Sequence, residues 1–220
     1  MQLTLFEDEI KESVKKSNKT TFVNNMKLPV HRWYRYSAGF SAEWAKSVIH
    51  DNYKKNLHVY DPFCGSGTVL IASDEMEVES IGVDPHPFVS KMTDAKIKWD
   101  TDYKNFESFA LSIIEAAERN NDDALDDFPD LIKKSYSYEN LLKLQKLNTA
   151  LEEKKDSSAE YQLTWMALSS ILRTTSGVGT AQWQYVLPNK KKVAKDPFDE
   201  FKSKVFQIKN DMIKFQELYG

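Results

Sequence analysis

The eight residues Asp61-Pro62-Phe63-Cys64-Gly65-Ser66-Gly67-Thr68 constrain this chain more than any other stretch. The apolar run Leu57-His58-Val59-Tyr60 leads into them and Val69-Leu70-Ile71-Ala72 leads out. That order predicts a strand, a tight glycine turn and a helix. Such a turn sets free backbone N–H groups and the positive end of a helix dipole at the top of a strand. Gly65 and Gly67 permit the sharp backbone path and let a ligand approach without a Cβ in the way. A second strand-like run, Val78-Glu79-Ser80-Ile81-Gly82-Val83, closes on Asp84, 19 residues after Gly65. A carboxylate about 20 positions past the glycines is where a βαβ unit meets ribose hydroxyls. The turn lacks the Gly-x-Gly-x-x-Gly of dinucleotide folds and the Lys-Ser/Thr of a phosphate-binding P-loop. A ligand with a ribose and no phosphate is therefore expected.

Elsewhere the pattern is mostly helical. Phe40, Trp44, Ala45, Val48 and Ile49 fall at helical spacing behind Ser41, a fitting N-cap, which predicts a helix over 40–54. A helix over 85–98 follows the second strand. Residues 103–155 read as a helical insertion with Leu141, Leu144, Leu147 and Leu151 on one face. Its stretch from Asp122 to Asp127 holds four aspartates, a solvated loop whose charge repels phosphate. Tyr161, Trp165, Leu168 and Leu172 share a stripe over 159–173. Thr174 to Thr180 reads as a glycine-containing loop and not as a second nucleotide turn, because no strand precedes it. Asn189-Lys190-Lys191-Lys192 is either a solvated loop or a phosphate contact. Asp196 caps a last helix with Pro197 at its first position. Phe198, Phe201, Val205, Ile208, Met212, Phe215 and Tyr219 give that helix an apolar seam about six turns long. The seam packs within the helical insertion or docks a partner.

The order of three segments resembles the amino-group DNA methyltransferases, which act on N4 of cytosine or N6 of adenine. The turn from Asp61 to Thr68 looks like their S-adenosylmethionine loop. Gly82-Val83-Asp84-Pro85-His86-Pro87-Phe88, followed by Ala95-Lys96, resembles their next segment. His31-Arg32-Trp33-Tyr34-Arg35-Tyr36-Ser37-Ala38-Gly39-Phe40-Ser41 is similar to the stretch that precedes the loop when the cofactor half comes first. Arg173 to Lys192, with Trp183 and Tyr185-Val186-Leu187-Pro188, looks like the stretch before the catalytic half.

The resemblance implies S-adenosylmethionine as the cofactor. It implies Asp84 on the ribose and Asp61 near the amino-acid end, with Phe63, Cys64, Gly65, Ser66, Gly67 and Thr68 shaping the loop. Tyr36 and Phe40 either line the pocket or belong to the core. The fold class implied is α/β, a Rossmann-like methyltransferase half-domain with an incomplete parallel sheet and a helical extension. Three parts are expected: a polar N-terminal segment (1–25), the S-adenosylmethionine-binding part (26–100) and the helical extension (101–220).

The family holds its acceptor amine with Asp/Ser/Asn-Pro-Pro-aromatic, and the aromatic ring stacks on the extruded base. None of the seven prolines here is adjacent to another. No catalytic residue is therefore assigned. Only two strands read as parallel, fewer than a sheet buried on both faces needs. The expectation is a split enzyme whose Pro-Pro-aromatic half comes from a second chain or a missing C-terminal half, with double-stranded DNA gripped through that partner. A net charge of −3 agrees with weak DNA affinity of the chain alone. Two alternatives stand beside it: a non-catalytic regulatory subunit of a methylase, and an RNA guanine-N2 methyltransferase fragment. The second places Asn where this chain has Ala95-Lys96. Restriction–modification is the setting by analogy.

Gln2-Leu3-Thr4-Leu5-Phe6 is similar to the peptide that docks bacterial proteins on the replicative sliding clamp, with Gln2, Leu3, Leu5 and Phe6 as contacts. An amphipathic N-terminal turn is the other reading. Cys64 is the single cysteine, which suits a reducing cytoplasm. Its position at a helix N-terminus predicts a lowered thiol pKa. The four histidines show no metal-ligand spacing, and no apolar run is of membrane-spanning length.

Overall fold

The parallel pair expected from the two apolar runs forms. In the computed structural model, which describes residues 22–180 and 186–220, β1 (His58–Asp61) and β2 (Glu79–Gly82) lie side by side in parallel. His58 is opposite Glu79 and Asp61 opposite Gly82. The chain divides into two compact units, Met1–Asp100 with Met212–Gly220, and Thr101–Asp211. The peptide from Gln2 to Phe6, and Trp183 and Tyr185, lie outside the described residues.

In the first unit, short 3-10 turns at Phe22–Lys27 and His31–Trp33 precede α1 (Ala42–Asp51). Then come β1, α2 (Thr68–Asp74), β2 and α3 (Pro87–Lys96). Ser41 caps α1 as expected, its Oγ accepting from Trp44 N at 3.4 Å. Buried Asn25 holds the same helix start, accepting from Ala42 N at 2.9 Å and donating to Phe40 O at 2.8 Å. The stripe on α1 is narrower than its spacing predicts. Ala45 and Ile49 are buried, while Trp44 and Val48 are exposed.

Ala45, Ile49, Ala72 and Val78 form a core against which Phe40, Leu57, Val59, Val69 and Met76 pack. So α1 and α2 cover one face of the strand pair. Alternation sends His58, Tyr60, Glu79 and Ile81 the other way, where Tyr60 is 65% and Ile81 68% exposed. Parallel sheets are ordinarily covered on both sides. Among the described residues of the first unit, Tyr60 and Ile81 on the second side stay largely exposed.

The C-terminal residues of the chain belong to this unit too. Phe215 lies edge-on to Trp99 at 4.8 Å between centroids, and Gln216 Nε2 donates to Trp99 O at 2.8 Å. Trp99 Nε1 in turn donates to Asp74 Oδ2 at 2.8 Å.

The second unit is a helical assembly with one addition. Its helices are α4 (Tyr103–Arg119), α5 (Asp130–Ser135), α6 (Tyr138–Glu153) and α7 (Ala159–Thr175). They are joined by α8 (Pro197–Tyr219) as far as Asp211. Phe106, Ala110, Ile113, Ile114 and Ala117 bury one face of α4. Leu141, Leu144, Leu147 and Leu151 do the same on α6, as their spacing predicts. Asp196 caps α8, its Oδ1 accepting from Phe198 N at 2.9 Å and Asp199 N at 3.2 Å. The seam of α8 is used inside the chain: Phe201, Val205, Ile208, Met212 and Phe215 are all buried.

The addition is a two-stranded antiparallel ribbon of β3 (Val178–Thr180) and β4 (Val186–Lys191). It corrects the expectation of loops at Thr174–Thr180 and Asn189–Lys192. Gly177, Gly179 and Pro188 hid the strands, because these residues weaken or interrupt a strand pattern. Proline is tolerated at sheet edges, and in a two-stranded ribbon both strands are edges. No helix among the described residues is long and apolar enough to cross a membrane.

Candidate cofactor site

The glycine turn sits at the carboxyl end of β1, as expected. Gly65 (φ +54°) and Gly67 (φ +76°) both occupy the left-handed region that an L side chain resists. Gly67 N closes the turn onto Cys64 O at 2.8 Å, and α2 begins one residue later. The two strand ends are laced together: Val83 N donates to Asp61 O at 2.9 Å and Cys64 N to Val83 O at 3.0 Å.

Asp84 is tied to the turn directly. Its Oδ2 accepts from Gly65 N at 3.0 Å and its Oδ1 from His86 N at 2.9 Å. A carboxylate offers about four lone-pair sites. Two remain for hydroxyl donors, so the group fits the ribose role while also setting the loop. Asp61 turns its carboxylate back, Oδ1 accepting from Phe63 N at 3.1 Å. Phe63 itself is 76% exposed at the loop tip. Ser66 and Thr68 are buried beneath the loop.

Tyr36 reaches this site. A Cβ on Gly65 would stand 3.2 Å from the Tyr36 ring, so the ring lies against the glycine. Burial, then the charges of Asp84 and Cys64, raise the Tyr36 phenol above its usual range. Phe40 is placed differently: it packs on the core under α1 and α2 and stands edge-on to Trp44 at 5.2 Å.

Cys64 corrects an expectation. Its thiol is pushed up, not down, first by burial and then by the carboxylates of Asp61 and Asp84. Two nearby acids and burial outweigh the helix end. Cys64 is a buried packing residue of the turn.

Two groups were not singled out as site residues. Thr93 on α3 donates from Oγ1 to Gly65 O at 2.7 Å, and its methyl stands where a Gly67 side chain would go, at 2.9 Å. It thereby fixes the turn from below. Lys96 is fully buried and donates to His31 O at 3.2 Å. Lys96 lines, with Ser66, Thr68, Tyr34 and Tyr36, a cavity of about 10 Å³, the size of one water. Thr93 carried no signal, being an ordinary helix-face threonine. Lys96 had only its place in the quoted segment.

A larger hollow, about 410 Å³, opens at the amino ends of the strands between Tyr53, Asn56, His58, Glu77 and Glu79. Open α/β sheets take their ligands at the carboxyl ends. The glycine turn is therefore the better site despite its smaller cavity.

The structure thus joins a carboxylate, Asp84, to a glycine turn at the carboxyl end of a parallel pair. Residues 4–95 match the family described as DNA methylase, comprising N6 and N4 methyltransferases. Through that segment the chain is similar to the amino-group DNA methyltransferases. It is 36% identical over 64 residues to the Type II methyltransferase M.BsoBI of Geobacillus stearothermophilus. That match covers 29% of this chain and 13% of the relative. It is 27% identical over 77 residues to the Type II methyltransferase M.AvaI of a Nostoc species, covering 34% of this chain and 16% of the relative. The matched stretch is thus less than a fifth of either relative. No solved structure matches.

Proposed function

We propose that this chain supplies the donor-binding part of an enzyme that methylates an exocyclic amine of DNA, N4 of cytosine or N6 of adenine. S-adenosylmethionine supplies the methyl group. Asp84 takes the ribose hydroxyls, the turn from Phe63 to Thr68 cradles the donor, and Tyr36 walls it beside Gly65. Asp61 keeps the loop backbone in place next to the amino-acid end. The residues that clamp the acceptor amine and stack on its base come from a Pro-Pro-aromatic half outside these 220 residues. Duplex DNA is held chiefly through that half.

The observation that carries this reading is the Asp84–Gly65 bond, which joins the acid and the glycine turn into one preformed site. The exposure of Tyr60 and Ile81 supports the need for further sheet or helix from a catalytic half. Calorimetry with S-adenosylmethionine tests the donor site. Asp84→Asn should weaken binding about 10- to 100-fold, the loss of one charged hydrogen bond, with the circular dichroism unchanged. Equal affinity would remove the ribose assignment. Methyl transfer to DNA by this chain with no partner present would remove the split-enzyme reading.

A further inference from the structure

The end of the chain grips the far end of α2, the helix that grows from the glycine turn. α2 follows Gly67 directly, runs seven residues to Asp74 and has Glu75 as its C-cap. Both carboxylates at that end are held. Asp74 Oδ2 accepts from Trp99 Nε1 at 2.8 Å. Glu75, with a side chain 5% exposed, meets three elements of the first unit. His31 Nε2 stands 3.2 Å from its Oε1. The Tyr219 hydroxyl donates to its Oε2 at 3.3 Å, and the Lys46 ammonium meets the same oxygen. Buried Phe215 joins the two grips, its ring centroid 4.8 Å from that of Trp99 and 4.7 Å from that of Tyr219. Trp99 lies just beyond α3, whose Thr93 holds Gly65 at the other end of α2.

We propose that the last two turns of α8, through Phe215 and Tyr219, are a positioning clasp for the glycine turn, acting on α2 through Trp99, Asp74 and Glu75. A two-turn helix has little stability of its own, so its place is set by what holds its ends. The path along α2 is short. Glu75 N donates to Ile71 O at 3.0 Å and Ile71 N to Gly67 O at 3.0 Å. Two successive bonds thus connect the clasped end to the turn, and slack at Glu75 reaches Gly67. Phe215 and Tyr219 are positioning residues: they act on the turn through their neighbours. The helical extension gains a task beyond its own packing, because its last residues, from Met212, complete the unit that carries the turn. The proposal rests on the donor-site reading only for its effect on S-adenosylmethionine binding.

The test is amide hydrogen exchange of the full chain, resolved by NMR, beside calorimetry with S-adenosylmethionine. Phe215→Leu keeps an apolar side chain and removes both ring contacts. Tyr219→Phe keeps the ring and removes only the hydroxyl, so it carries the test in a protein whose packing is untouched. Exchange at the Gly65, Gly67 and Ile71 amides should quicken about 5- to 10-fold in Phe215→Leu and roughly 2- to 5-fold in Tyr219→Phe. The Ile49 amide of α1 and the amides of α4 should change less than about 2-fold. Donor affinity should fall about 3- to 10-fold in Phe215→Leu, because a looser turn costs more to order on binding. Leu218→Ala, at a residue 61% exposed on the same helix, should match the wild type in both measurements. Equal acceleration at Ile49 and at the turn, or none at the turn, overturns the proposal. Donor affinity unchanged in Phe215→Leu, where the wild type binds, overturns the clasp and leaves the donor reading. Selective acceleration at the turn in a protein whose wild type binds no donor removes the donor reading and leaves the clasp.

Discussion

Gly67→Ala is the sharpest test of how the turn is built. Gly67 has φ +76°, and a Cβ there would lie 2.9 Å from the Thr93 methyl. An alanine in the left-handed region costs roughly 1–2 kcal/mol. The methyl could rotate away only by breaking the 2.7 Å bond from Thr93 Oγ1 to Gly65 O, a net loss of about 1 kcal/mol. The substitution should therefore destabilise the first unit by about 2–3 kcal/mol. Thr93→Ser keeps the hydroxyl and removes the clashing methyl, at about 0.8 kcal/mol for one buried carbon. In that background Gly67→Ala should cost only the backbone part, leaving a favourable coupling near ~1 kcal/mol. Urea unfolding of all four proteins, followed by tryptophan fluorescence, measures the cycle. A Gly67→Ala loss below about 0.5 kcal/mol would refute both the backbone argument and the Thr93 contact, and additive substitutions would refute the contact alone.

Three further outcomes follow from the first unit. Burial, then the charges of Lys96 and Lys46, holds the His31 imidazole well below its ordinary 6.5. The unfolded chain therefore binds that proton first, so stability is full above about pH 6.5 and declines below it, by up to ~1.4 kcal/mol per pH unit. Chemical denaturation between neutral and mildly acid pH reads this slope, and His31→Gln should flatten it. Trp99→Phe leaves the half-buried Asp74 carboxylate without its 2.8 Å donor and should cost about 1–3 kcal/mol in the same unfolding assay. Ile81→Lys changes a residue that is 68% exposed, so stability should move by less than about 0.5 kcal/mol. In a pull-down with a co-expressed catalytic half, the same variant should reduce recovery of the complex. Full recovery would place the half elsewhere than on this face.

The turn and its acid were legible because few residues can do their work. A left-handed backbone asks for glycine, and an acid that ends the second strand is within reach of the Gly65 amide. The long helices were legible for a similar reason, since Leu141 to Leu151 and Phe201 to Phe215 repeat at the helical period and are buried. Thr93 was not, because its role depends on a contact across 28 residues and its type is ordinary for a helix. The ribbon escaped because each strand is short and carries glycine or proline. Cys64 was misjudged because a helix end is visible in the sequence, whereas the convergence of Asp61 and Asp84 on the thiol needs the fold.

The bond between Asp84 and the Gly65 amide closes a ring of backbone across two strands and the helix between them. On the proposed donor reading, a visiting nucleoside would meet a rim that already has its curvature, and would gain its hold without ordering that backbone. Discrimination between sugars would then fall to a fixed gauge: a ribose missing a hydroxyl would leave a desolvated Asp84 oxygen stranded.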